Sequence, residues 1–271
     1  MKKIFLFCCL FLLLSSCRKA EEPIFEIQTS EGIIKVKLYK ETPKHRDNFV
    51  KLANSGYYNE QLLYKVVSDF LIETGDLNSR KADHNRLLGG NGIDYTIAAE
   101  IEYPKYFHKR GVLSAARLPD TENPEKNSNG SLFYIILGKN FTPAELDSIE
   151  KERYDRQVNI IWQRLIALNR SKIAQITSID DNRVLLETLQ DSLAAVAEKE
   201  VEKEGVFFFS KEQREAYTSI GGVPFMDEDY TVFGEIIAGM EVLEKISHSK
   251  VDFNSRPKKD IRIISIREVG E

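Results

Sequence analysis

The sequence predicts a mainly β domain with α-helices, interrupted by an inserted α-helical hairpin. Alternating apolar and polar residues, which are typical of strands, occur between residues 24 and 142 and again after residue 205. Between these stretches, residues 143–204 carry apolar side chains at helical spacing among many Lys, Glu and Arg. Strands on both sides of one helical block indicate a single discontinuous domain over 24–142 and 205–271, with the insertion at 143–204.

The N-terminus has two lysines before an apolar run over residues 4–14, which leads into Leu-Ser-Ser-Cys17. This pattern resembles the signal sequence and lipobox of a bacterial lipoprotein. We expect a signal peptide over 1–16 and a tether over 17–23, with lipid attached to Cys17. A transmembrane anchor is one alternative, although it needs roughly 20 apolar residues. A plain secretory signal is another, although its small-residue cleavage pattern fits less well.

Lipid attachment implies a place in the cell envelope. Arg18, rather than an acidic residue, follows Cys17, and in bacterial lipoproteins this favours sorting to the outer membrane. We therefore expect a chain that is held to the outer membrane through lipid on Cys17 and that faces the periplasm.

Composition argues against several other classes of protein. The net charge is −4 with both signs interspersed, which is not typical of a nucleic-acid binder. Cleavage before Cys17 removes Cys8 and Cys9, so we expect no internal disulfide. Three histidines look unclustered and lack metal-ligand spacing, so we expect neither a metal nor a cofactor. These histidines are His84, His108 and His248.

The domain opens with a β-hairpin that is followed by a helix. Residues 24–29 and 33–39 alternate apolar and polar side chains, and Ser-Glu-Gly between them supplies a turn. Thr42 predicts a helix N-cap, Pro43 suits the first helical turn, and Gly56 predicts the end of the helix. Short β-type runs then occupy residues 62–67, 70–74, 112–116 and 133–137.

The insertion begins at a capping box. Thr142 precedes a proline and is followed three residues later by Glu145, which predicts a helix start. Residues 178–181 look like a second helix start. The apolar stripe that includes Trp162 predicts the seam of a helical hairpin, and a face that contacts a client or partner protein is the alternative reading.

Strand character returns after the insertion and continues to the end of the chain. The apolar residues 206–209 and then 230–234 predict strands. Residues 240–247 predict a last helix, and residues 261–269 predict a final alternating strand.

Six sequence blocks stand out along the chain, namely Thr42-Pro43 with Asn48-Phe49, then 56–59, 70–76, 111–117, 129–134 and 230–240. In order and spacing these blocks resemble those of cyclophilins, and in particular bacterial cyclophilins with a helical insert. The resemblance implies a closed eight-stranded antiparallel barrel that is capped by helices. It also implies peptidyl-prolyl cis-trans isomerase activity, with proline-containing polypeptides bound in a shallow groove on the barrel wall.

The resemblance also identifies candidate catalytic residues. In cyclophilins the arginine of a Phe-His-Arg run donates a hydrogen bond to the twisted amide. This chain has Leu-Tyr-Lys65 there, and Lys lacks the planar fork of donors that Arg has. A family glutamine on the next strand becomes Glu73, which can only accept hydrogen bonds when ionised. Lys65 and Glu73 are therefore the candidate catalytic pair, although a solvated surface role remains open for each.

Ten further residues match substrate-binding positions of the family. They are Phe70, Leu71, Ala116, Arg117, Leu132, Phe133, Tyr134, Phe225, Met226 and Tyr230. Leu132 replaces a backbone-binding glutamine, Tyr134 replaces a common Phe, and Tyr230 stands at a His position of some members. Because alternate residues of a strand face opposite sides, we expect at least one of Phe70, Phe133 and Tyr134 to lie in the core.

Three functions remain open at this point. The first is an isomerase that assists the folding of exported proteins, with activity reduced by the altered polar residues. The second is a non-catalytic module that binds proline-containing segments as a chaperone or scaffold. The third is a surface lipoprotein that uses the barrel only as a structural support.

Overall fold

The computed structural model describes residues 22–90, 92–178 and 182–270. Its strands are β1 (Ile24–Thr29), β2 (Gly32–Leu38), β3 (Lys65–Val67), β4 (Leu71–Thr74), β5 (Thr96–Ile97), β6 (Val112–Ala115), β7 (Ser128–Asn129), β8 (Phe133–Ile136), β9 (Val232–Ala238) and β10 (Ile263–Val269). Its α-helices are α1 (Pro43–Asn54), α2 (Pro143–Leu168), α3 (Arg170–Thr177), α4 (Arg183–Glu204), α5 (Lys211–Ser219) and α6 (Met240–Ser247). Short 3-10 turns cover Leu77–Lys81 and Pro224–Met226.

Eight strands form one curled antiparallel sheet in the order β10-β1-β2-β9-β6-β8-β4-β3, and β5 pairs separately with β7. The segment before β3 also reaches the start of β10. Leu63 N donates to Ile261 O at 2.9 Å, and Ile263 N donates to Gln61 O at 2.8 Å. The prediction of an eight-stranded antiparallel fold is confirmed as a curled sheet, with β3 and β10 as its end strands.

The predicted hairpin is confirmed as β1 and β2. Thr29 Oγ1 donates to Gly32 O at 2.7 Å and accepts from the Glu31 and Gly32 amides, so this side chain closes the turn. Alternation along both strands sends Phe25 and Ile34 into the main core, where they are almost completely buried.

Helix α1 is capped differently from the sequence prediction. The Thr42 hydroxyl donates to Tyr39 O and makes no side-chain cap. Instead, the Glu100 carboxylate accepts from the Lys44 and His45 amides at 3.0 Å each. A carboxylate at this end of a helix satisfies free N–H groups and suits the helix dipole. Glu100, which lies 55 positions after His45, therefore caps the helix end that the prediction assigned to Thr42.

The described part of the insertion contains three helices rather than the two of a hairpin. The predicted capping box is present, since Thr142 accepts from the Glu145 amide and the Glu145 carboxylate accepts from the Thr142 amide. Helices α2 and α4 share a small apolar seam that includes Trp162, as the hairpin prediction requires. Helix α3 was not predicted, and residues 179–181 of the second predicted helix start lie outside the described residues.

The predicted strand at residues 206–209 is wrong. This segment has no strand and runs directly into α5, which a capping box of Ser210 and Gln213 begins. Phe209 is buried in a cluster with Phe107 and Tyr217 beneath the insertion. A short, continuous apolar run indicates that a segment is buried, but without periodicity it does not distinguish a strand from a packed loop.

None of the helices in the described ranges is both long enough and apolar enough to cross a bilayer. The predicted last helix is confirmed as α6, and the predicted final strand is confirmed as β10. The predicted signal peptide, most of the tether and the Cys17 lipidation site lie outside the described residues.

Gly75 connects β4 to the turn that follows it, and its backbone requires glycine. Its φ is +102°, and a Cβ there would lie 2.1 Å from Ser131 O. We expect Gly75→Ala to lower the free energy of unfolding by about 2 kcal/mol or more, measured by urea denaturation. Gly90→Ala is the control, because no heavy atom lies within 4 Å of its added Cβ. Equal urea midpoints for the two variants would contradict this expectation.

Candidate active site

A row of four side chains crosses the face of the sheet opposite to the main core. The strand register pairs Lys65 with Glu73, Glu73 with Tyr134, and Tyr134 with Ser114. Ile72, which directly precedes Glu73 on β4, belongs to the main core. Because side chains alternate along a strand, the register brings the two candidate catalytic residues and Tyr134 together on one face.

An apolar cluster lies on the same face beside this row. Five residues of this cluster, together with Phe225 that packs against Phe70, are here called the aromatic patch: Phe70, Leu71, Tyr134, Phe225, Met226 and Tyr230. Leu71 and Met226 are buried at its base, whereas Phe225 has 58% of its surface exposed at the rim. The Phe70 and Phe225 rings are 5.6 Å apart, and the Tyr134 and Tyr230 rings are 6.2 Å apart in an edge arrangement. The patch is therefore an apolar surface with polar aromatic edges.

Three predicted binding residues do not join the patch. Phe133 lies in the main core, where its ring meets Phe49 at 5.7 Å, because its position in β8 is one residue out of phase with Tyr134. Leu132 is buried, and its carbonyl accepts from the Ala116 amide at 3.0 Å. Ala116 is buried as well. The expectation that one of the three aromatic candidates is a core residue is thus met by Phe133.

Arg117 forms one edge of the patch. Its guanidinium lies over the Tyr230 ring, 4.7 Å from the centroid, and its Nε donates to Asp229 O at 2.5 Å. The side chain is 5% exposed and also donates to Asp120 Oδ1 at 2.6 Å. Through these contacts, Arg117 holds the Tyr230 ring in place at the edge of the patch.

Lys65 and Glu73 form a loose ion pair beside the patch. Lys65 Nζ lies 3.8 Å from Glu73 Oε2, and 44% of the Lys65 side chain is exposed against 11% for Glu73. Burial raises the pKa of Glu73, while the nearby Tyr64 hydroxyl and the Lys65 ammonium oppose that rise. The Tyr64 hydroxyl is buried, and among the described residues it has no hydrogen-bond partner. The site therefore holds an accessible ammonium next to a carboxylate that is poorly solvated.

A cavity of about 400 Å³ opens next to this pair. Lys65, Glu73 and Tyr134 line one side of it, and the loop over residues 84–89 lines the other. Tyr134 belongs to both the cavity and the aromatic patch, so the two surfaces are continuous.

A buried chain of polar groups holds the loop that carries Met226 and Tyr230. The Asp227 carboxylate accepts from the His108 amide at 2.8 Å and from the Tyr217 hydroxyl at 2.6 Å. His108 Nδ1 lies 3.0 Å from the same carboxylate, and His108 Nε2 lies 3.0 Å from Ser114 Oγ. We call these four residues the Asp227 network. All are at most 1% exposed, so the Ser-His-Asp arrangement is closed to substrate and serves to anchor the loop.

Sequence reasoning missed this network. His108 stands apart from the other histidines in the sequence, whereas in the structure its ring contacts both Asp227 and Ser114. His108 and Asp227 are 119 positions apart, and they come from segments on either side of the insertion. No local spacing could reveal that pairing, since it arises only when the curled sheet brings the two segments together.

The Asp227 carboxylate supplies a stability test. Asp227→Ala leaves the His108 amide and the Tyr217 hydroxyl buried without their acceptor, so we expect a loss of about 3–5 kcal/mol in unfolding free energy. Asp227→Asn keeps the shape and one acceptor oxygen and should lose less. Asp229→Asn is the control, because that side chain is 39% exposed. Urea denaturation that finds Asp227→Ala no less stable than the control would contradict the anchoring role.

Comparison with known proteins identifies the family. The profile for "Cyclophilin type peptidyl-prolyl cis-trans isomerase/CLD" matches residues 24–159 and 168–268. A putative peptidyl-prolyl cis-trans isomerase of Staphylococcus haemolyticus is 25% identical over 242 residues, covering 89% of this chain and 88% of the relative. One from Staphylococcus aureus strain USA300 is 27% identical over 242 residues, with the same two coverages of 89% and 88%.

Solved structures agree in fold. A crystal structure of a cyclophilin type peptidyl-prolyl cis-trans isomerase of Cryptosporidium parvum matches with a TM-score of 0.54 and 20% identity, covering 92% of this chain and 99% of that chain. A second structure of that protein, in the presence of the dipeptide Ala-Pro, matches with a TM-score of 0.53. The family profile spans both segments of the β domain and most of the insertion, so this chain belongs to the cyclophilin-type peptidyl-prolyl cis-trans isomerases.

Proposed function

We propose that this isomerase binds a proline ring on the aromatic patch and uses the Lys65 ammonium to stabilise the twisted amide. The observation that carries the proposal is the strand register, which sets Lys65, Glu73 and Tyr134 side by side at the edge of the patch. The structure in the presence of Ala-Pro belongs to the Cryptosporidium parvum protein, and it supports a proline peptide as the ligand class here.

The reaction asks little of the protein beyond positioning and one directed donor. Rotation about a peptide bond faces a barrier of about 18–20 kcal/mol, because the amide nitrogen shares its lone pair with the carbonyl. A donor that binds the nitrogen of the twisted amide favours the state in which that sharing is lost. No covalent intermediate is needed, so Lys65 acts by donating a hydrogen bond and the patch acts by holding the ring.

Glu73 sets how available Lys65 is. When Glu73 is ionised, its carboxylate holds the Lys65 ammonium at 3.8 Å and competes with the amide for it. When Glu73 is protonated, that competition ends and the carboxyl group gains a donor of its own. Activity should therefore depend on the protonation of a residue that does not itself contact the reacting bond.

A non-catalytic binding module is the second candidate. Two observations favour it. Glu73 pairs with Lys65, the candidate donor, and Leu132 is buried where the family has a glutamine. Such a module would retain the patch and hold proline-containing segments without accelerating their exchange.

The setting of the domain is also a proposal. We infer a discontinuous domain over 24–142 and 205–271, an insertion over 143–204, and a lipid anchor on Cys17 that holds the chain at the periplasmic face of the outer membrane. Folding of exported proteins is the role that fits this location. The backbone hydrogen bonds between residues 61–63 and 261–263 support closure of the sheet into a barrel.

Variants of Lys65 separate the two candidates. We expect the wild type to accelerate cis-trans exchange of an Ala-Pro peptide in NMR exchange spectroscopy, and Lys65→Ala to lose about 100-fold of this, as expected when one directed donor is removed. Lys65→Arg should be at least as active as the wild type, because Arg offers a fork of donors. Lys37→Ala is the control, since Lys37 is another sheet lysine paired with a glutamate. If Lys65→Arg accelerates exchange and the wild type does not, the wild-type protein is a binding module.

The raised pKa of Glu73 predicts a pH dependence. Activity should rise as the pH falls through that pKa, which lies above 4.5, because protonation releases Lys65. Stability should also rise as the pH falls through this range, because the folded chain binds this proton more tightly than the unfolded chain. Glu73→Gln should raise activity at neutral pH and flatten the acidic limb of the profile. A Gln variant whose profile matches the wild type would contradict control by Glu73.

A further inference from the structure

We propose that Arg153, on helix α2 of the insertion, is a positioning residue for the aromatic patch. This inference rests on the proposed function, because it concerns the same proline site. It gives the insertion a role in the activity: the first helix of the insertion fixes the loop over residues 224–230, which carries Phe225, Met226 and Tyr230.

The Arg153 guanidinium spans the start and the end of one short turn. Its Nη2 donates to Pro224 O at 3.0 Å and to Asp227 O at 3.2 Å, and its Nη1 donates to Glu228 Oε2 at 2.7 Å. Pro224 begins the 3-10 turn, and Asp227 directly follows it. Phe225 and Met226 lie between the two carbonyls, so their side chains are oriented by a turn that Arg153 holds from outside.

Helix α2 and Arg153 are held in place by the segment that follows the insertion. Its side chain is 16% exposed, and the guanidinium lies 4.1 Å from the centroid of Phe207, in the segment after α4. One turn earlier on α2, Glu150 accepts from the Phe209 amide at 2.7 Å and pairs with Arg214 of α5 at 2.6 Å. Helix α2 is thereby tied to the segment and the helix that follow the insertion.

The patch loop is thus fixed from two sides. The Asp227 carboxylate is held by the Asp227 network, and the Asp227 carbonyl is held by Arg153. A loop that is fixed before the peptide arrives loses less conformational entropy on binding, so pre-organisation strengthens binding without adding a contact to the peptide. Removing Arg153 should therefore weaken peptide binding, although Arg153 lies outside the patch.

The three acceptors explain why arginine is needed. A guanidinium presents five N–H donors in a fixed plane, so it can serve two carbonyls and a carboxylate at once. A lysine ammonium has three donors around one nitrogen and retains the Glu228 pairing more readily than the two carbonyls. Arg153→Lys should therefore restore only part of what Arg153→Ala loses.

The test compares Arg153→Ala and Arg153→Lys with the wild type in the chain beginning at Arg18. We expect the Ala variant to raise KM and the peptide Kd by roughly tenfold. This is less than the loss of about 100-fold that a misplaced site group can cause. Because Lys65 and the reacting bond are untouched, kcat should change less than KM. Amide exchange over residues 224–230 should become faster in the Ala variant and intermediate in the Lys variant.

The matched control is Arg164→Ala. Arg164 lies on the same helix and pairs with Glu200 of α4 on the exposed side of the insertion. Unchanged KM and unchanged amide exchange in Arg153→Ala, or equal changes in Arg164→Ala, would overturn the proposal. A thermal scan accompanies each variant, and if Arg153→Ala does not fold, Arg153→Lys carries the comparison.

The outcomes separate this inference from the proposed function. If the wild type neither binds nor isomerises the peptide, the proposed function fails, and amide exchange over residues 224–230 still decides whether Arg153 fixes the loop. If the wild type is active and Arg153→Ala binds the peptide equally well, the proposed function stands and the positioning role is refuted.

Discussion

The site depends on the buried Asp227 carboxylate more than on any residue at its surface. This carboxylate accepts from the His108 backbone and the Tyr217 hydroxyl, and it contacts the His108 ring. A carboxyl group with this little exposure is tolerated only when its oxygens are hydrogen-bonded, so its partners cannot be changed independently. The consequence is a loop that presents Met226 and Tyr230 to the sheet in one arrangement.

The chemistry at the surface follows from a second constraint, the register of β3, β4 and β8. It aligns Lys65, Glu73 and Tyr134 across three strands, and a shift of one residue would send all three into the core face. The polar residues in this row differ from the family pattern while the apolar patch beside it is retained. The chain therefore places the aromatic patch, which is the proposed proline site, beside an ion pair of one ammonium and one poorly solvated carboxylate.

Features encoded by neighbouring residues could be predicted from the sequence. The β1–β2 hairpin, the Thr142–Glu145 capping box and α6 all follow from spacings of a few residues. Features that join distant segments could not. Glu100 caps α1 from far along the chain, and Asp227 meets His108 across the whole insertion. The family resemblance supplied the patch residues, but strand phase decided that Tyr134 faces the patch and Phe133 faces the core.

The most direct measurement of the central claim is a titration of the ¹⁵N-labelled chain, beginning at Arg18, with the dipeptide Ala-Pro. If the aromatic patch is the proline site, the largest amide shifts fall at Phe70, Leu71, Tyr134 and residues 225–230. Under the same account, residues 172–176 and 185–192 of the insertion, which line a separate surface cavity of about 450 Å³, remain unshifted. Shifts confined to that cavity, or no shifts at the patch at saturating dipeptide, would contradict it.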